Sequence, residues 1–517
     1  MLKMIYVVLL LIMPVLAQAG VNPKNGNFYI SYTDSVLTTQ AYKLEMDRTY
    51  NAKSSHVGWF GVGWGSQYET HLTVLPDRTA AIVENGAGAT SYFHDETKPR
   101  DAKRVAAGVA KIVAAAKAKD KLSKQASKEL TQKLLGDEED RLAAVNKYQV
   151  QSQLPRTLKL TAYGRGYCAG TLQRTAAGYE RDDGCGSVDE FDAKGNLLRR
   201  KQDLIEDGYL LTLRYENGHP VEIKDQDGRG FNLSWSSEGF VNRLVASDGA
   251  VVEYEYDDRH NLIQSNSLAG TYKGESFGYS YDRRHNMTRI RYLDGTSMFI
   301  NYDGKDNVTR IDETSGEYSL YEYINDAKNP DSYSTRIRHI DQAGNESSQT
   351  VGFQTSKSAT GENRFEGYSL LDQETLGFET KVELDEKGRT ISKTFRSGDV
   401  LSYTYHPTLE KIDTVKLNGK LRATFKYNDK ADLIRAEDAE GKAVDLEYDD
   451  LHHISRMVTT NEEGKRGVLD FIYDTNGKPV KISDETGAID VSYDDKGEIN
   501  HVESAAGSAM ALRVLTM

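Results

Sequence analysis

Apolar and polar residues alternate in short runs over much of this chain. In the stretch VVEYEYDDRHNLI, Val252, Tyr254 and Tyr256 are separated by Glu253 and Glu255, and Asp257 ends the alternation. Side chains of a strand point to opposite faces in turn, so the pattern predicts a strand with one buried face. The same order of apolar, any, apolar, any, aromatic recurs as LTLRY to Tyr215, FNLSW to Trp235, FGYSY to Tyr281 and MFINY to Tyr302. SLYEY follows to Tyr323 with a polar first position. After a gap come LSYTY to Tyr405, ATFKY to Tyr427, VDLEY to Tyr448, LDFIY to Tyr473 and IDVSY to Tyr493. Weaker copies place Phe191 and Leu384 at the aromatic position, and the step between neighbours is about 21 residues.

Each aromatic leads into a turn such as YDRRHN, YDGKDN, YDTNGK or YDDKGE, and a second turn such as DQDGRG or DETGA lies midway to the next. Asp accepts bonds from nearby backbone N–H groups, and Gly or Asn tolerates positive φ, which tight turns need. One repeat is therefore one β-hairpin. A lone hairpin cannot bury its apolar face, but hairpins paired side by side share a continuous core. The predicted fold is mainly β: a spiral, solenoid-like antiparallel sheet of about twelve β-hairpin repeats over residues 191–517. Residues 324–380 lose the period and are expected to hold decayed units or longer loops.

Residues 98–148 depart from this pattern. Val105, Val109, Ile112, Val113 and Ala116 follow helical spacing, as do Leu122, Ala126, Leu130 and Leu134. Gly136 then Asp137 predict a stop and a new cap, with a second short helix from Glu138 to Lys147. This α-helical insertion interrupts a β pattern that resumes after it. Residues 20–97 are expected to form an N-terminal β domain and 149–190 a hairpin region. Residues 1–19 read as a secretory signal peptide: Lys3, an apolar run from Met4 to Leu16, and Ala17-Gln18-Ala19 before the cleavage point.

The stretch YDRRHNMTRIRYLDGTSMFINYDGKDNVTRI resembles the tyrosine-aspartate (YD) repeat of RHS proteins, and the likeness extends over about residues 191–500. VNPKNGNFYISYTDSVL, LEMDRTYNAKSS and GWFGVGWG resemble the domain that precedes the repeats in that family. The resemblance implies a long sheet that spirals into a hollow shell, its repeat tyrosines turned inward. It also implies an effector domain behind an Asp-Pro core motif in toxin-carrying members. No Asp-Pro dipeptide occurs here, and about 24 residues follow Tyr493, so neither core nor toxin is expected.

Charge adds one feature. The net charge is −13, which gives no reason to expect nucleic-acid binding. Yet Lys103 to Lys133 contains nine Lys or Arg and two acids. A basic amphipathic helix either lies on an anionic membrane surface or packs its apolar stripe on the chain's own acidic sheet, the latter being the expectation here. The only cysteines, Cys168 and Cys185, flank a predicted hairpin, and an oxidising compartment would join them in a disulfide worth about 3 kcal/mol.

No nucleophile elbow, P-loop or HExxH motif is present, so no catalytic residue, metal or cofactor is expected. Candidate binding residues are the aromatics Trp59, Phe60 and Trp64, which suit either sugar stacking or a compact Gly-turn core, and the repeat tyrosines Tyr254, Tyr256, Tyr279, Tyr281, Tyr403 and Tyr405. The expected function is a non-enzymatic, exported bacterial scaffold, periplasmic or extracellular, that binds a partner protein or surface glycan. The alternative is a shell component that encloses or chaperones a separately encoded effector.

Overall fold

A computed structural model describes residues 18–39, 42–54, 56–86, 88, 90–95, 102–156, 159–163, 170–184, 186–202, 209–357, 363–373, 379–385 and 389–504. Two sheets account for almost all of it. The smaller is antiparallel and holds Gln18–Asn22, Asn27–Thr38, Lys43–Asn51 and Trp64–Ser66 in that order. The larger starts at His71–Val74 and ends at Ile499–Ser504, each strand pairing antiparallel with the next in sequence.

The larger sheet coils instead of closing edge to edge. Its first strand meets the chain again one turn later, where His71 bridges Asn196 and the Leu72 N–H donates to the Gly195 carbonyl (2.9 Å). That seam requires a glycine. Gly195 has φ +94°, and a Cβ there would lie 1.9 Å from the Leu72 oxygen. Beyond it the sheet continues through the repeats. The fold class read from the sequence is the one observed.

Each repeat is built as the sequence suggests, with one addition. A register shift falls just before the repeat aromatic at Phe191, Tyr215, Trp235, Tyr256, Tyr281 and Tyr302. It recurs before Leu384, Tyr405, Tyr427, Tyr448, Tyr473 and Tyr493. These β-bulges bend and twist each hairpin in the same sense, which is how a flat ladder becomes a coil. The following turn sets the bulge. In one example Asp257 Oδ1 accepts from the N–H groups of Arg259 and Asn261 (3.0 and 2.8 Å), and Oδ2 accepts from Asn261 Nδ2 (2.8 Å). His260 sits at φ 67° between them. Asp282 with Asn286 and Asp303 with Asn307 repeat the arrangement.

Residues 324–380 hold longer strands, among them Ser332–Ile340, Glu346–Lys357 and Asn363–Gln373. The period is lost there because the hairpins lengthen. The N-terminal span 20–97 is also divided: its first part forms the small sheet, whereas His71–Val74, Ala80–Val83 and Thr90–His94 already belong to the coil.

The insertion forms three helices, Ala102–Asp120, Lys124–Gly136 and Glu138–Tyr148. The sequence reading anticipated the third helix and its Asp137 cap. It missed the break before Lys124, where Ser123 accepts the Ala126 N–H. Their apolar stripe, including Val105, Val109, Ile112, Leu134 and Val145, packs on Leu75 and Ala81. Ala80 and Ile82 of the same strand point into the main core. The helices therefore lie on the outside of the first turn, on the chain's own sheet. No helix among the described residues is long and apolar enough to cross a membrane.

Candidate binding surface

The small sheet does not stand beside the coil; it fills it. Phe28, Ile30, Tyr32, Tyr50, Phe60 and Trp64 share one buried cluster with repeat residues from Leu197 to Val308. Ring contacts run along the coil in step: Tyr68 with Phe231, Trp59 with Trp235, Phe60 with Tyr254, Trp64 with Tyr279 and Tyr50 with Tyr281. Backbone hooks accompany them. The Val241 N–H donates to the Trp59 carbonyl (2.8 Å), the Val62 N–H to the His260 carbonyl (3.0 Å) and the Val308 N–H to the Gly26 carbonyl (2.9 Å). Tyr50 Oη donates to the His285 carbonyl (2.7 Å) and accepts from the Met287 N–H (3.0 Å). Residues 18–66 thus act as a plug gripped by successive repeats.

At the centre of this contact is a buried charge. Arg48 and Asp34 are 0% and 8% exposed. Arg48 Nε donates to Asp34 Oδ2 (2.7 Å), and its other nitrogens reach Tyr279 Oη (3.2 Å) and Ser265 Oγ (2.9 Å). Tyr254 Oη donates to Asp34 Oδ2 (2.7 Å). Burial works against the Arg48 charge, but Asp34 together with Tyr279 and Tyr254 raises its value well above the ordinary one and keeps the guanidinium protonated. The network ties two strands of the plug to three strands of the coil, and removing Arg48 or Asp34 would strand a charge.

These contacts decide the candidate residues. Phe60 and Trp64 are 0% exposed, and Trp59 packs edge-on against Trp235. Phe60 and Trp64 offer no sugar-stacking platform and form the core of the Gly-rich turns, with the partly buried Trp59 packed against them. Tyr254 and Tyr279 are 4% and 5% exposed, again as core. Tyr403 and Tyr405 are half-exposed. Cys168 and Cys185 lie outside the described residues.

The excess of Tyr over Phe has a structural cause that sequence reasoning missed. Tyr256 Oη donates to the Val241 carbonyl (2.6 Å), Tyr281 to Leu262 (2.8 Å), Tyr302 to Met287 (2.9 Å) and Tyr323 to Val308 (2.8 Å). Farther on, Tyr427 donates to Ile412 (2.7 Å), Tyr448 to Leu433 (2.7 Å), Tyr473 to Ile454 (2.9 Å) and Tyr493 to Pro479 (2.9 Å). The acceptor is in each case the residue paired across the strand with the preceding repeat's aromatic; Leu262, for instance, faces Tyr256. Each hydroxyl latches its repeat to the one before. Burial pushes the Tyr281 hydroxyl far above its ordinary value, so it remains a donor. The spacing of aromatic and acceptor in sequence was the available signal.

From about residue 390 no described residue of the plug lies against the coil, and the same inward pattern is only partly buried. Tyr403, Phe425, Tyr427, Leu446, Tyr448, Phe471 and Tyr473 are all only partly buried. Among the described hydrophobic residues of this region, only Ala443, Val458, Ile482 and Ile489 are buried. The result is an inward wall of half-exposed aromatics, with the Tyr427, Tyr448 and Tyr473 hydroxyls latched to backbone carbonyls and the His453 ring stacked on Tyr473. No group of three or more potential metal ligands occurs among the described residues.

Residues 18–93 match a family model described as a domain of unknown function, DUF6531. Among curated proteins none matches the chain. Among solved structures, TcdB2-TccC3 without its hypervariable C-terminal region is similar at 10% identity and TM-score 0.39, covering 93% of this chain and 28% of that one. TcdB2-TccC3-Cdc42 is similar at 10% identity and TM-score 0.38, covering 92% and 28%. A porin-like protein from Bacteroides uniformis ATCC 8492 is similar at 10% identity and TM-score 0.12, covering 53% and 92%. This chain spans less than a third of the length of the TcdB2-TccC3 chains.

Proposed function

We propose that this chain is an exported, non-enzymatic scaffold that holds a polypeptide partner against the inner wall of residues 390–504. One observation carries the reading. The first part of the coil buries its inward aromatics under the chain's own segment 18–66, and the second part repeats the inward pattern with nothing over it among the described residues. A partner with alternating aromatic and apolar residues, like the plug, would complete the same contacts. Sugar is the weaker fit to this wall, because the Tyr hydroxyls that would read it are latched to backbone carbonyls.

The shell reading rests on the same wall and differs in degree. The plug occupies the interior of the first turns, which leaves only the later interior for an enclosed effector. A photo-crosslinking side chain at Tyr403 or Phe425, in the mature chain expressed in its native host, tests both readings. Polypeptide adducts from these inner positions, and none from Lys426 on the opposite face, support the proposal. Adducts removed by periodate but not by protease, or equal labelling of both faces, defeat it. Full protease resistance of the captured partner selects the shell reading.

A further inference from the structure

We infer a second binding site, for a neutral hexose unit, in the mouth of the first turn of the coil. It does not depend on the inner-wall reading, since it lies at the other end of the sheet and uses different residues. The seam at His71 and Asn196 brings the strands from His71–Val74 to Leu197–Gln202 round to face one another. One layer of this turn is apolar and closed: Ile82, Phe93, Tyr179, Phe191 and Leu197 are each no more than 4% exposed. Two residues along the same faces, the side chains change character to Glu84, Ser91, Arg181 and Asp189. Above them is an open cavity of about 380 Å³ lined by Glu84, Ser91, Arg181, Ser187, Arg200 and Gln202, with Asp183 at the rim. That volume is at the small end for ligand sites, and barrel mouths are a common place for them.

The chemistry of the wall selects the ligand. Asp189 is 0% exposed and takes both guanidiniums: Arg181 Nη2 donates to its Oδ2, and Arg200 donates from Nε (2.7 Å) and Nη2 (3.2 Å). Arg181 Nη1 is held by Glu84. Both terminal nitrogens of Arg181 and the side-on Nε/Nη2 edge of Arg200 are thus already engaged by carboxylates. Glu84, Asp183 and the buried Asp189 set three carboxylates against Arg181 and Arg200, so no excess positive charge draws an anion. What remains is a set of single donors and acceptors. The buried Nε of Arg181 lacks a partner, the carboxylate of Glu84 is partly exposed, and Gln202 is joined to Ser187 (3.2 Å). Hydroxyl groups, which donate and accept at one atom, match such a wall. Sequence reading passed over it because each of these residues alone looks like a solvated charge.

The test is saturation-transfer NMR on the full mature chain with glucose, galactose and mannose, and with glucuronate and glutamate as charged comparators, each at about 10 mM, in the range where millimolar affinity is detected. At least one hexose should bind saturably and more tightly than either charged compound. Gln202→Ala and Ser91→Ala should each weaken it about tenfold with melting unchanged, since neither touches the Asp189 network. The inference is overturned if no hexose binds, if glucuronate or glutamate binds more tightly, or if both substitutions leave hexose binding intact. Failure here leaves the inner-wall crosslinking result untouched, and the reverse also holds.

Discussion

Strands Val251–Tyr256 and Ala443–Tyr448 read VVEYEY and AVDLEY, and both latch their last tyrosine to the repeat before. Yet Tyr254 is 4% exposed, while Leu446 at the matching position is only half-buried. The difference lies in what faces them. Segment 18–66 covers the first strand, and among the described residues nothing covers the second. The repeat pattern thus encodes sheet, bulge and latch in both regions alike, whereas a dry core is supplied only where a separate segment fills the coil. Stability should be concentrated in the filled region, leaving the open one able to accept another chain.

The largest way to break this contrast is Arg48→Ala. It leaves Asp34 charged and buried, and should cost about 3–5 kcal/mol in chemical denaturation. A cost below about 1 kcal/mol would mean that water enters the plug contact. Next is a matched pair. Tyr281→Ala removes a ring packed against Tyr50 and a hydroxyl that bonds both Leu262 and Trp64, and should cost about 3 kcal/mol or more. Tyr448→Ala, whose ring is half-exposed, should cost about 1 kcal/mol. Equal costs for the two would erase the distinction between filled and open regions.

Acid offers a third lever, acting on one region only. Burial holds the His71 imidazole down from its ordinary 6.5 to about 4, with His56 adding to the effect and Asp192 opposing it. A histidine whose folded value is depressed contributes stability that is fully present above the unfolded value and is lost as pH falls. The window here is from about 6.5 down to about 4, for at most about 3 kcal/mol. Hydrogen-exchange protection at the His71–Asn196 seam, corrected for the intrinsic rate at each pH, should fall across this window while that of residues 443–493 does not. His71→Gln should abolish the dependence, and a seam insensitive to acid would contradict the burial argument. The smallest effect is expected from Glu255→Ala, on the outward face, at under about 0.5 kcal/mol by melting. A cost matching Tyr281→Ala would reverse the assignment of faces.

Much of the coil was legible because its cause is local. The period, the place of the turns and even the weak copies at Phe191 and Leu384 were readable, and both weak copies carry the bulge; the positive φ expected at Asn falls on His260, His285 and Asp306, one residue earlier. The plug was not legible as a plug, since Tyr50 meets Tyr281 and Arg48 meets Tyr279 across more than two hundred residues with no periodic trace. One signal was available. Arg48 occupies an inward position between Met46 and Tyr50, and Asp34 falls at a bulge after Tyr32 in the paired strand. Opposite charges at inward positions of paired strands imply a buried pair. The aromatics Trp59, Phe60 and Trp64 stand out in the sequence, but only the fold shows that the coil lies against them.

Every latch points the same way, from a repeat's tyrosine back to a carbonyl nearer the N-terminus. This gives the array a direction in time. A chain that emerges N-terminus first presents the plug, then the seam, and then one repeat after another, each finding its acceptor already in place. No repeat has to wait for a later one to settle. Order can therefore spread along the nascent chain with little exposed edge at any moment, which limits the chance of pairing with a neighbour. Chains truncated after residue 380 should still protect the plug contacts from exchange, whereas chains lacking 18–66 should not protect residues 251–302. The opposite result would show that the coil is ordered from its far end.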